Sequence, residues 1–154
     1  MTVSVVPLLI DAMLDTYRAA LEGVRVSDGT GVTDDPADYL MVGIQDPFDS
    51  TDSSANSEQD WAGVGTFAPR SEVGSVFCAA LCWSGDTNMK TVRDRVYEIV
   101  DTVAALHRDP NDVSLGVPQL LWTSFGARTN LEQNQGDEGC YALVMFSVEF
   151  NAQI

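Results

Sequence analysis

The sequence predicts an α+β fold: a mostly antiparallel sheet with two amphipathic helices packed on one face. Three observations predict it. Only two stretches of the 154 residues carry apolar residues at helical spacing. The remaining apolar residues fall in short alternating or continuous runs bounded by Gly, Asp, Asn and Ser. Most of these runs follow one another through hairpin-length or loop connections, which favours antiparallel pairing. The chain is 45% apolar with a mean hydropathy of −0.02, enough for one core, so residues 1–154 read as a single domain.

The first helical pattern runs from Val3 to Glu22. Leu9, Met13, Tyr17, Ala20 and Leu21 form its apolar face, and Asp11, Asp15, Arg18 and Glu22 lie opposite. Pro7 suits a first turn, and Gly23 suits a C-terminal cap. Val24–Val26 is a short extended piece, followed by a turn at 27–31. Asp38–Ile44 is β-branched and apolar enough for a strand. Gln45–Asp60 is then sixteen residues with almost no core-formers, and is expected to be a long acidic loop, either functional or mobile.

Trp61–Phe67 alternates large and small residues like a strand, and Glu72–Trp83 is a longer one. In the latter, Val76, Cys78, Ala80 and Cys82 share one face, and Val73, Phe77, Ala79, Leu81 and Trp83 share much of the other. Two partly apolar faces suggest a central strand. Thr87 or Asn88 can cap the second helix, Met89–His107, whose stripe is Val92, Val96, Ile99, Val100, Val103 and Leu106. Gln119–Asn130 and Cys140–Asn151 read as a closing hairpin around a loop at 133–139, with a register slip expected on the return strand near Phe146.

Charge narrows function more than any motif does. Eight basic residues face 23 acids, a formal −15 at pH 7. Such a surface excludes sequence-independent binding to nucleic-acid phosphates and disfavours an anionic membrane. Nine acids and no base lie between Arg25 and Arg70. No apolar run approaches the roughly 18 residues of a membrane span. The N-terminal apolar stretch lacks the basic flank of a signal peptide. Cys78, Cys82 and Cys140 are odd in number and lie in apolar runs, as buried reduced thiols would.

Chemistry-bearing patterns are absent. His107 is the lone histidine, placed where a cationic imidazole is favoured at a helix C-terminus, so its reading is structural. No Gly-x-Ser-x-Gly, P-loop or dinucleotide loop occurs. Cys78 and Cys82, four apart on a strand, stand about 13 Å apart, too far to share zinc. Asp46, Asp49 and Asp52 recur every third residue, but the EF-hand order is not met. No catalytic residue, metal or cofactor is therefore expected.

The order of elements carries a resemblance. A helix with Pro7-Leu-Leu-Ile-Asp-Ala-Met-Leu leads to a Val-rich strand. Tyr39-Leu-Met-Val-Gly-Ile-Gln-Asp-Pro47 opens a polar acidic loop. An apolar strand ends Ala-Leu-Cys-Trp-Ser-Gly-Asp86, the arginine-bearing helix Val92-Arg-Asp-Arg-Val follows, and a hairpin closes on Phe-Ser-Val-Glu-Phe-Asn-Ala152. Over nearly its whole length the chain resembles the tail terminator (tail-completion) proteins of long-tailed phages and related viruses.

The resemblance implies a structural virion protein at the tail–neck junction. Its copies would form a ring, typically a hexamer, on the tail tube, ending tube polymerisation and meeting the head-completion (stopper) protein. Genomic double-stranded DNA would pass through the lumen without specific binding. On that reading Asp46, Asp49, Asp52, Glu58 and Asp60 are expected to face the channel. The scarce cations Arg18, Arg70, Arg93, Arg95 and Arg128 are expected in subunit or tube contacts. The rival readings are another neck protein (a stopper or connector subunit), a small interaction module, and, last, a carboxylate-based hydrolase.

Overall fold

A computed structural model describes residues 3–31, 37–49, 51–61 and 69–154. Helix α1 spans Val6–Ala20, inside the predicted 3–22, with Pro7 in its first turn. Leu9, Met13, Leu14 and Tyr17 are buried along one stripe. Its N-cap residue Val5 has no capping side chain of its own. The cap comes from 67 residues away: the Glu72 carboxylate accepts from the Val5 N–H at 2.9 Å and from the Ser4 hydroxyl. A carboxylate at this end also meets the positive pole of the helix dipole.

The strands are β1 (Val24–Asp28), β2 (Asp38–Val42), β3 (Ala55–Trp61), β4 (Arg70–Ser84), β5 (Leu120–Gly136) and β6 (Gly139–Gln153), with helix α2 (Met89–Leu106) between β4 and β5. They form one sheet ordered β1-β2-β4-β6-β5, and β3 also pairs with β4. The β1–β2 pair is parallel and the other pairs are antiparallel. Val76, Cys78, Ala80 and Cys82 of β4 join the even-numbered residues Cys140–Ala152 of β6 and the stripes of both helices in one core. Both helices therefore cover the same face, as the α+β reading expects. Asn88 caps α2, accepting from the Thr91 N–H at 3.4 Å.

The predicted sixteen-residue loop is divided in two. Val42 faces Cys78, and Ala55 already faces Val76. So β2 and β3 lie end to end along β4, and only residues 43–54 leave the ladder. They leave opposite Phe77, whose carbonyl accepts from Gly43 and Ile44 N–H and whose N–H donates to Ser54 O. Residues 55–60 are strand, although Ala-Asn-Ser-Glu-Gln-Asp has little β propensity. A polar edge strand is exposed over most of its length and needs no apolar pattern, and its charges discourage edge-to-edge aggregation. Of the predicted strand Trp61–Phe67, Trp61 ends β3 and residues 62–67 lie outside the described residues.

Gly74 permits that pairing. A Cβ there would lie 2.0 Å from the Asn56 carbonyl oxygen and 2.8 Å from Ser57 Cα. Both are backbone atoms and cannot swing away. Gly74→Ala is expected to cost about 1–3 kcal/mol in urea unfolding. Amide exchange should quicken first in β3. Unchanged β3 protection in this variant would refute the close approach.

The register slip is on β5, not on the return strand. The buried parity of β6 holds from Cys140 to Ala152. On β5 the ladder jumps from Phe125 opposite Val148 to Thr129 opposite Phe146. Residues 126–128 thus face Ser147 alone. A Cβ at Gly126 would fall 2.9 Å from the Ser147 backbone carbonyl oxygen as well as 2.1 Å from its Oγ, and the carbonyl cannot rotate away, so glycine is favoured there. Beyond the bulge β5 continues to Gly136, well past the predicted end at Asn130, and the turn shrinks to Asp137–Glu138. Every residue from Ala127 to Gly136 is exposed, so no alternation marks this arm in the sequence.

Candidate functional site

Arg128, in the β5 bulge, stands 3.7 Å from Asp49 and lies over the Phe48 ring at 5.8 Å. β4 and β6 lie between β5 and the point where residues 43–54 leave the sheet. The excursion must therefore cross the face opposite the helices to reach Arg128. That crossing accounts for the burial of Phe77 and Ser147, which point to this far face. Asp46 organises the crossing. One carboxylate oxygen accepts from the Phe48 and Asp49 N–H groups at 2.8 and 3.2 Å, and the other accepts from the Thr51 hydroxyl at 3.3 Å. The Asp46 N–H donates to Ser53 O. This is an Asx-type turn, built by a side chain that is buried.

The five acids expected to face a channel do not form one group. Asp46 is turned inward and engaged by its own loop. Asp49 and Asp52 are exposed on the excursion. Glu58 and Asp60 are exposed on β3, one register step apart on the far face, opposite Val73 and Ser71.

The arginines divide similarly. Arg70 donates to Gln59 Oε1 at 3.1 Å and stacks on Trp61 at 4.9 Å, on the helix side of the sheet. Arg95 pairs with Asp38, tying α2 to the start of β2. Arg128 holds the excursion. Arg18 and Arg93 are held more loosely, by 3.4 Å contacts to Val26 O and Gln133 Oε1. The sequence pointed to all five for subunit or tube contacts and did not resolve which ones the fold itself engages.

His107 is not cationic. It is buried as the C-cap of α2, and burial pushes its imidazole down to about 4. Its Nε2 meets the Tyr17 hydroxyl at 2.5 Å, and its Nδ1 meets Thr123 Oγ1 at 2.6 Å. Thr123 Oγ1 donates its single proton to Val113 O at 2.6 Å. The imidazole must then donate from Nδ1, and Tyr17 must donate to Nε2. Burial holds the Tyr17 phenol well above its ordinary range, so it remains a donor. The relay joins α1, α2 and β5 inside the core. The structural role of His107 was legible in sequence, but its charge state and partners were not; the partners lie 90 and 16 residues away.

The three cysteines are free and buried, and burial raises the Cys78 and Cys82 thiols to about 12. Such thiols are poor nucleophiles. Among the described residues, no three His, Cys, Asp or Glu side chains gather to hold a metal. No described helix is long and apolar enough to cross a membrane. No protein-family model matches the chain, and no curated protein matches it.

Proposed function

We propose that the protein is a tail terminator: a structural virion protein whose copies form a ring, hexameric by family resemblance, on the end of a tail tube. It ends tube growth and offers its other side to the head-completion protein, with DNA passing through the middle. The observation that carries this reading is the free edge of β5. Ala127 to Gly136 are exposed, and from Thr129 onward the strand pairs, among the described residues, only with β6. An unpaired strand edge of that length is a template for pairing with another chain, and a ring needs such a surface on each copy. The net charge of −15 agrees with a wall that surrounds DNA without gripping it. Of the five acids, Asp52, Glu58 and Asp60 are exposed and offered to that wall, while Asp49 is exposed but engaged by Arg128.

Light scattering and negative-stain imaging, alone and with tube protein, test the reading. The expected result is a ring about one tube diameter wide, seated at tube ends. A monomer indifferent to tube ends overturns it. Arg18→Glu and Arg93→Glu reverse the two loosely held arginines without touching the Arg95–Asp38 or Arg128–Asp49 pairs. Both are expected to weaken assembly while leaving the fold intact. Full assembly by both variants would remove these arginines from the interface.

A further inference from the structure

A second surface lies on the far face, at the end not crossed by residues 43–54. Here three adjacent strand pairings set Glu58, Val73, Asn151 and Trp122 in one row across the sheet. The next row is Asn56, Ser75, Glu149 and Ser124. These rows form an open groove of about 500 Å³ lined by Asn56, Glu58, Val73, Ser75, Trp122 and Glu149, among others. Small side chains make its floor, and Trp122 makes one wall.

Three properties of the groove are unusual together. Val73 and Trp122 are 45% and 39% exposed, in one row with Asn151 between them and no described element above them. Among the described residues the lining has two carboxylates, Glu58 and Glu149, and no base. The nearest strand-borne cation, Arg70, belongs to the opposite face, where Gln59 and Trp61 hold it. With strands about 4.8 Å apart and about 3.4 Å of rise per residue, the two carboxylates are anchored roughly 12 Å apart, diagonally across Val73. That spacing admits one extended chain between them, with a side chain reaching each.

We propose that this groove binds an extended, arginine-bearing segment of a different protein. A guanidinium beside Glu149 can lie on the Trp122 ring, gaining an ion pair and a cation–π contact together. Its stem, or a neighbouring apolar side chain, covers Val73. A second arginine two residues along the segment reaches Glu58. Charge complementarity favours a foreign partner at this groove: another copy of this chain would bring mostly further acid against Glu58 and Glu149, whereas a basic segment is attracted. The proposal stands whether or not the protein forms a ring, and uses a surface separate from the β5 arm.

The probe is a fluorescein-labelled hexapeptide alternating arginine and valine, followed by anisotropy. Its control replaces each arginine with citrulline, which keeps shape and hydrogen bonding but not charge. The arginine peptide is expected to bind saturably, and the citrulline peptide about tenfold more weakly. Glu58→Gln with Glu149→Gln should lose about tenfold, and Trp122→Ala several-fold. Asp137→Asn with Glu138→Gln removes the same charge at the exposed β5–β6 turn and should leave binding unchanged. Equal loss in that control, or binding indifferent to Trp122, overturns the proposal. So does sedimentation showing that Trp122→Ala dissolves a self-association, because the occupant would then be another copy.

Discussion

Glu72→Ala is expected to lower the unfolding free energy by about 3 kcal/mol. The side chain is fully buried. It is the acceptor for the Val5 N–H and the Ser4 hydroxyl at the start of α1. Removal leaves a buried N–H without a partner, empties the space of a large side chain and takes a negative charge from the helix N-terminus. Glu72→Gln keeps the shape and one carbonyl acceptor, so it should cost about 1 kcal/mol. Urea unfolding orders the three proteins. Exchange of the first-turn amides of α1 separates a local loss from a global one. If Glu72→Ala matches the parent in both measurements, Glu72 does not cap α1.

The same residue shows where sequence stops being informative. Glu72 shares the even-numbered face of β4 with Val76, Cys78, Ala80 and Cys82, so parity points it toward the core while its charge argues for a solvent-exposed strand end. Its partner is set by the β4–β6 register and by the path of the N-terminus, and neither is written locally. The helices were legible because each buries one stripe, and a stripe leaves a 3.6-residue period. The strands of the core were legible for the analogous reason. What escaped were the elements that bury little. β3 is an edge strand of polar residues, and the outer half of β5 is exposed on both faces. Their positions are fixed by backbone pairing to β4 and β6, which leaves no side-chain pattern.

The acidic stretch was legible in composition and misleading in shape. Nine acids without a base lie between Arg25 and Arg70, but the five in the predicted loop at 45–60 do not behave as one solvated loop. Asp46 builds a turn, Asp49 meets Arg128 across the far face, and Glu58 lines a groove on a strand. Only spatial neighbours distinguish them. The same holds for the candidate surfaces: Glu149 and Trp122 are 27 positions apart in sequence and one strand apart in space, so no linear motif could announce the groove.

Acidification is expected to destabilise the protein through His107 in a defined window. The imidazole titrates near 4 when folded and near 6.5 when unfolded. Between these values the unfolded chain binds a proton that the folded one does not, so stability falls as pH drops from about 6.5 to 4 and is fully present above 6.5. The contribution lost is about 3 kcal/mol. The total curve of this acidic chain contains contributions besides the histidine's. A difference measurement isolates the histidine. His107→Gln retains an amide that can meet Tyr17 or Thr123 but cannot titrate. Its stability at pH 7 should be lower than the parent's, and the gap should shrink as pH falls to 4. Because the chain has one histidine, imidazole NMR reads the site directly. It should show a neutral ring protonated at Nδ1 at pH 6, since Thr123 has given its own proton to Val113. A ring that charges at its ordinary pH, or carries its proton at Nε2, would break the relay and with it the predicted pH window.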